Sequence, residues 1–284
     1  IIFFVGLIII SYQVYDLTKT FYNLGKSLSA AENHIENNRN KILTSRENNE
    51  DLAIITYIGE STSSLHMSLY GYPFETTSWL KKQLQNKNFI KFTKVYSEYT
   101  HTVNSLLSAL SFCLNNCDRI DTENYENLVS LVDVINKNNI DTYLFSTQGG
   151  TGTSNFASRA VLRAQELEYA YSDEKKDKLK GKRFVPQVKD DEYFSNTFCK
   201  KKNIFKNNNQ SLVFLHSYAG HGSFGGYTSL VPKDFNIKYP KYINKKNFLG
   251  KDHKNFDLTR EYDSAISYID YSISKTVECA FINS

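Results

Sequence analysis

The feature that most constrains this chain is the run Ala53-Ile54-Ile55-Thr56-Tyr57-Ile58, β-branched and apolar at nearly every position, which stops at Gly59 and gives way at once to Glu60-Ser61-Thr62. A run without polar alternation fits a strand buried on both faces, the habit of parallel sheets, so the segment predicts an α/β domain. In open α/β sheets the ligand lies outside the carboxyl ends of the strands. Glu60 therefore stands where a catalytic or metal-binding carboxylate belongs, although a Gly-Glu-Ser triplet taken alone is as readily a turn.

Two further strands repeat the theme. Ile140-Asp141-Thr142-Tyr143-Leu144-Phe145 runs into a loop from Ser146 to Thr153, and Leu212-Val213-Phe214-Leu215 ends in His216-Ser217-Tyr218-Ala219-Gly220-His221. A strand, a glycine-bearing loop and an apolar stretch over 157–169 that reads as a helix suggest a nucleotide site. The phosphate-binding glycine patterns are absent, however, and the nucleotide reading fails. Two histidines in a glycine-containing loop at a strand end favour a binding site over two satisfied core histidines. Helical spacing predicts a helix over 125–136, residues 77–85 read as another, and residues 89–96 read as a strand returning to the site. Leu106, Leu107 and Leu110 share a helical face, with Thr100 and Thr102 at its start. A threonine there is a good cap. The same helix end, with its free N–H groups and positive dipole, also favours an anion such as a phosphoryl group.

The chain's 284 residues leave room for one large α/β domain with or without a membrane segment. Residues 1–10 are continuously apolar but shorter than the about 20 needed to cross a bilayer, and no basic stretch precedes them as in a signal peptide. They read as the end of a transmembrane helix spanning 1–15, with Tyr12 and Tyr15 at the interface; a buried core helix is the alternative. Residues 16–50, polar and Asn-rich, read as a juxtamembrane helix and linker, and 51–284 as the catalytic domain. The net charge of +4 comes from lysines scattered through Asn-rich stretches such as 200–209. That distribution describes solvated loops over 171–209 and excludes a nucleic-acid surface. None of the four cysteines forms a paired zinc pattern; Cys113 and Cys117 either pair in an oxidising compartment or remain two thiols.

Taken together, Ile58-Gly59-Glu60-Ser61-Thr62, His66-Met67-Ser68-Leu69-Tyr70-Gly71-Tyr72-Pro73 and Thr76-Thr77 closely resemble the opening of the catalytic domain of lipid A phosphoethanolamine transferases, membrane enzymes of the sulfatase and alkaline phosphatase superfamily. Thr102-Val103-Asn104-Ser105 matches the family's T-x-x-S. His216 to Gly222 resembles its H-x-x-G-S-H-G with Ala219-Gly220 in place of Gly-Ser, and residues 262–271, opening Tyr262-Asp263-Ser264-Ala265-Ile266, resemble its Y-D-N-S-I helix.

The resemblance implies an alkaline phosphatase-like fold with a mostly parallel central sheet between helices, and Zn2+ as cofactor. Glu60 and Thr102 would be metal ligands and Thr102 the nucleophile, with Thr100 as the alternate. His216 and His221 would bind substrate, and His221 would also act in catalysis. Phosphatidylethanolamine would be the donor and lipid A or lipopolysaccharide core the acceptor, at the inner membrane with the catalytic domain facing the periplasm. The departures are Asn104 where many relatives have Pro, Gly and Thr where some carry a substrate-contacting Lys after the 140–145 strand, and Gly225-Gly226-Tyr227 in place of the family's Pro and Arg features.

The family's Asp-His-Gly motif, with two more zinc ligands, follows the Y-D-N-S-I helix. Residues 275–284 do not contain it, and Asp252-His253 precedes the helix and lacks the glycine. The expectation is therefore a domain whose last strands and full ligand set lie outside this sequence, inactive by itself. The rival readings are a phosphoglycerol transferase, a sulfatase-like hydrolase and a non-catalytic remnant. Threonine at the nucleophile position argues against a sulfatase, which modifies Cys or Ser.

Overall fold

The computed structural model describes residues 52–113, 127–149, 163–171, 189–205, 210–221 and 255–283, with isolated positions elsewhere, and it divides into two compact units. The expected membrane-helix end over 1–15 lies outside the described residues. Of 16–50, only Lys19, Lys26 and Asn33 are described, each helical and exposed. No helix among the described residues is long and apolar enough to cross a membrane.

The larger unit is built on a four-stranded sheet. Its strands are β1 (Leu52–Ile58), β4 (Asp141–Gly149), β5 (Glu166–Tyr171) and β6 (Gln210–His216), in the order β1-β6-β4-β5. Every pairing is parallel, so the carboxyl ends of β1, β4 and β6 fall at one side. The fold is thus α/β with a parallel central sheet. Strand β1 is not buried on both faces as its composition suggests: among the described residues it pairs with β6 alone, and Leu52 and Ile54 are half exposed. Residues 89–96 form no strand; Ile90, Phe92, Val95 and Tyr96 lie exposed, and the Tyr70 hydroxyl donates to the Phe92 carbonyl at 2.9 Å. Residues 166–171 pair with β4 as a strand where a helix was expected, and 157–162 lie outside the described residues.

Side-chain alternation places Tyr143 and Phe145 of β4 with Val213 and Leu215 of β6 on one face. They form a core there with Tyr193, Phe194, Phe198 and Ile204. Those last four come from a segment whose charge suggested surface loops. Instead, residues 190–205 fold into helix α4 (Asp190–Asn196) and two 3-10 turns, and the turn at Phe198–Lys200 carries Cys199. Cys199 is disulfide-bonded to Cys279 across a sequence separation of 80. Cys279 sits near the end of α5 (Phe256–Asn283), a 28-residue helix that extends the expected 262–271 in both directions. Two buried hydroxyls of α5 bond within the helix: Thr276 Oγ1 donates to the Ser272 carbonyl at 3.0 Å and Ser274 Oγ to the Tyr271 carbonyl at 2.7 Å. The short helix α1 (Ser78–Gln83) takes its amino-terminal cap from α5, where the Asp270 carboxylate accepts from Trp79 N–H at 2.8 Å and Leu80 N–H at 3.0 Å.

The smaller unit contains α2 (Thr102–Leu110), whose Leu106 and Leu107 are buried as expected, and the antiparallel pair β2 (Ser111–Cys113) and β3 (Leu128–Ser130). Helix α3 (Leu131–Lys137) starts later than its periodicity suggested. Leu128 to Ser130 are taken by pairing with β2, and Ser130 caps the helix by accepting from Val132 N–H at 3.2 Å. Cys113 is disulfide-bonded; Cys117 lies outside the described residues.

Candidate active site

Glu60 follows β1 directly and is 6 % exposed. The ends of β4 and β6 supply its partners. Gln148 Nε2 donates to Glu60 Oε1 at 2.7 Å and to the Ser217 carbonyl at 3.1 Å, and it lies 3.0 Å from His216 Nε2. His216 Nε2 in turn lies 3.4 Å from Glu60 Oε1. A carboxamide has two protons for these three acceptors, so both neighbours are satisfied when His216 carries its proton on Nε2 and turns it toward Glu60. Burial alone would raise the Glu60 pKa. The hydrogen bond and charge of His216, the Gln148 amide and the His221 charge outweigh burial and hold it below the usual carboxylate range.

The segment after Glu60 is tied down by α5. Ser61 has a positive φ of 46°. The Tyr262 hydroxyl donates to its carbonyl at 2.7 Å and accepts from Ser63 N–H at 2.8 Å. Next along α5, buried Asp263 accepts from Tyr72 at 2.7 Å and Tyr239 at 2.5 Å and pairs with His66 Nδ1 at 2.7 Å. Burial and then the Asp263 carboxylate push both tyrosines well above their ordinary pKa. Thr76 and Thr77 bond to Ser68, Leu69 and the His66 carbonyl. The string Ser68-Leu69-Tyr70-Gly71-Tyr72 is therefore the fastening of the Glu60 loop to the domain.

The loop after β6 closes over Glu60 from the other side. Ser217 N–H donates to the Ile58 carbonyl at 3.0 Å, which continues the sheet by one step. Gly220 then takes φ +86°, and a Cβ there would stand 2.7 Å from the Glu60 carbonyl oxygen. His221 N–H donates to the Tyr218 carbonyl at 3.0 Å and its ring stacks on Tyr218 at 4.9 Å. The Nδ1 atoms of His216 and His221 are both buried without a hydrogen-bond partner among the described residues.

In the smaller unit Thr102 is the first residue of α2, and the cap position belongs to His101, whose side chain makes no capping bond. Thr100 is exposed, with Oγ1 3.0 Å from His101 Nδ1. Of the residues singled out from sequence, Glu60, His216 and His221 share one unit and Thr100 and Thr102 belong to the other. Gln148, unremarked in the sequence, joins Glu60; the end of an apolar strand was the signal, but it was read as the start of a loop.

Structural zinc has four ligands and catalytic zinc three plus a water or substrate. Among the described residues no three His, Cys, Asp or Glu side chains converge as metal donors. Glu60 and His216 are two, and Glu60 already accepts from Gln148, so the described residues do not by themselves fit the ion.

The chain belongs to the sulfatase family, whose model matches residues 53–280. A curated relative, phosphoethanolamine transferase EptC of Escherichia coli K12, is 24% identical over 234 residues, which cover 76% of this chain and 38% of the relative. The periplasmic domain of E. coli EptC, solved in complex with Zn, superposes with a TM-score of 0.63 at 20% identity, covering 84% of this chain and 61% of that one. The integral membrane lipooligosaccharide phosphoethanolamine transferase EptA of Neisseria meningitidis gives a TM-score of 0.57 at 18% identity, covering 84% of this chain and 40% of that one. The chain thus spans well under half the length of the curated relative it matches.

Proposed function

We propose that this chain is part of a phosphoethanolamine transferase that moves phosphoethanolamine from phosphatidylethanolamine to lipid A or the lipopolysaccharide core through a phospho-threonine intermediate. The observation that carries the reading is Glu60, buried after β1 and oriented by Gln148 and His216, within the string shared with that family. Relatives named as phosphoethanolamine transferases support it. Thr102 is assigned as nucleophile with Thr100 as alternate. Its place as the first residue of α2, at the positive end of the helix dipole, suits an oxygen that must carry a phosphoryl anion.

In the first half-reaction the Thr102 hydroxyl loses its proton to water as its oxygen bonds to phosphorus, the bond from phosphorus to the diacylglycerol oxygen breaks, and His221 is the proposed donor of a proton to that departing oxygen. In the second, an acceptor oxygen displaces Thr102 and takes the phosphoethanolamine group. His216, through Glu60, keeps the carboxylate ionised and oriented, and with His221 it is the proposed contact for the phosphoryl oxygens. Zinc belongs to the reading because a related domain is solved with it. Glu60 and Thr102 are the residues assigned to it, and no step above depends on the ion.

A periplasmic location at the inner membrane is supported by the Cys199–Cys279 disulfide, which needs an oxidising compartment. It is also supported by a relative described as an integral membrane protein. The incomplete donor set among the described residues favours one alternative, a non-catalytic remnant, and stoichiometric zinc in the purified chain would count against that alternative. The donor is tested by offering phosphatidylethanolamine labelled in ethanolamine beside phosphatidylglycerol labelled in glycerol. Label passing to lipid A from the first alone is expected. Transfer from the second, or release to water only, would replace the proposal with a phosphoglycerol transferase or a hydrolase.

A further inference from the structure

Asp190, the first residue of α4, is 1 % exposed and has no part in the roles assigned above. Its carboxylate nevertheless gathers donors from two strand ends. Thr147 Oγ1 donates to Oδ1 at 2.5 Å, Ser217 Oγ donates to Oδ2, and Ala219 N–H donates to Oδ2 at 3.2 Å. Tyr218 N–H lies 3.5 Å from Oδ1 and donates to Thr147 Oγ1 at 2.8 Å.

Each of these strand ends carries a pair of adjacent residues that divide between two carboxylates. At the end of β4, Thr147 turns to Asp190 and Gln148 to Glu60. After β6, Ser217 turns to Asp190 and His216 to Glu60. Asp190 therefore grips, from one side of the sheet, the same two chain ends that present Gln148 and His216 to Glu60 on the other. Through Tyr218 and Ala219 it also holds the turn that carries His221, whose ring lies on Tyr218 with an interplanar angle of 9°.

We infer that Asp190 is a positioning residue for the active site: it fixes the turn after β6 and the end of β4 so that Gln148, His216 and His221 keep their places around Glu60. This rests on the functional reading above for its effect on catalysis, but not for its effect on geometry. Several hydrogen bonds offset part of the cost of burying this carboxylate, and what those bonds secure is the orientation of three side chains that Asp190 never touches.

The test uses the full chain labelled with 15N-histidine, comparing wild type, Asp190→Ala, Asp190→Asn and Ser217→Ala. In Asp190→Ala the ring nitrogens of His216 and His221 shift while those of His66 stay in place and the far-ultraviolet circular dichroism is unchanged. In transfer assays kcat falls by about a hundredfold, the scale of a 1 Å misplacement, with little change in KM. Asp190→Asn restores most of both, because one carboxamide oxygen still accepts from Ser217 and Ala219 while the amide donates to Thr147 Oγ1. A folded Asp190→Ala chain with unmoved His216 and His221 signals overturns the inference. If that variant does not fold, Ser217→Ala decides: the same two histidines move, or the inference fails. Signals that shift while the longer protein containing this chain shows no transfer in any form would reject the functional reading and keep the positioning role.

Discussion

Gly220 meets the tightest steric demand in the site. Its φ of +86° is a region side chains rarely enter, and an added Cβ would stand 2.7 Å from the Glu60 carbonyl and 3.0 Å from Ile269 Cδ1. Gly220→Ala is expected to cost about 2–4 kcal/mol from backbone strain and forced displacement together, read as a lowered urea midpoint. Glu60 supplies a pH prediction of definite sign. Its native pKa lies below the usual carboxyl value, and a depressed carboxyl lends stability that is fully present above the unfolded-state pKa, near about 4.3. That stability is lost as pH falls through the native value. Glu60→Gln should therefore flatten the acid limb of the stability profile and leave the neutral limb without a new slope. Urea midpoints followed from pH 3 to pH 7 would show it, and an unchanged acid limb would contradict the ionised, hydrogen-bonded carboxylate. At this scale Glu60, His216 and His221 were legible because strand ends and glycine loops leave a mark in sequence. Asp190 and Gln148 were not, because their partners lie 27 to 88 residues away.

Helix α5 shows what an element adds. Tyr262, Asp263 and Asp270 lie along it and together hold the chain from Ser61 to Leu80. Asp270→Ala leaves the Trp79 and Leu80 N–H groups without their carboxylate and is expected to cost about 1–2 kcal/mol, the worth of a helix cap. Hydrogen exchange should quicken in α1 before it quickens in β6; equal effects on both would mean that Asp270 supports the domain and not the helix. The Tyr-Asp-Ser-Ala-Ile string announces a helix, but not that its tyrosine and aspartate fasten a loop some 200 residues earlier. Where local pattern failed, pairing had overruled it. Residues 166–171 became a strand because β4 offers them a parallel edge, and β1 is half exposed because among the described residues only β6 lies beside it.

For the larger unit as a whole, the Cys199–Cys279 bridge ties the end of α5 to the turn after α4. In the loop-entropy account, closing a loop of 80 residues contributes about 4–5 kcal/mol. The double variant Cys199→Ser, Cys279→Ser should lose stability of that order under oxidising conditions. A melting temperature that does not move would show the bridge to be incidental. The pairing was invisible in sequence, where two distant cysteines carry no spacing signal. The sheet's parallel order, by contrast, followed from three apolar runs and a family likeness that residues 53–280 bear out.

The central claim is that Thr102 takes up phosphoethanolamine, and its most direct test is the mass of the peptide containing Thr100 and Thr102 after expression in a membrane rich in phosphatidylethanolamine. The account predicts a phosphoethanolamine adduct on Thr102 that disappears in Thr102→Ala and in Glu60→Ala, from this chain or from the longer protein that contains it. An unmodified peptide in both, or an adduct that survives Thr102→Ala, would contradict it.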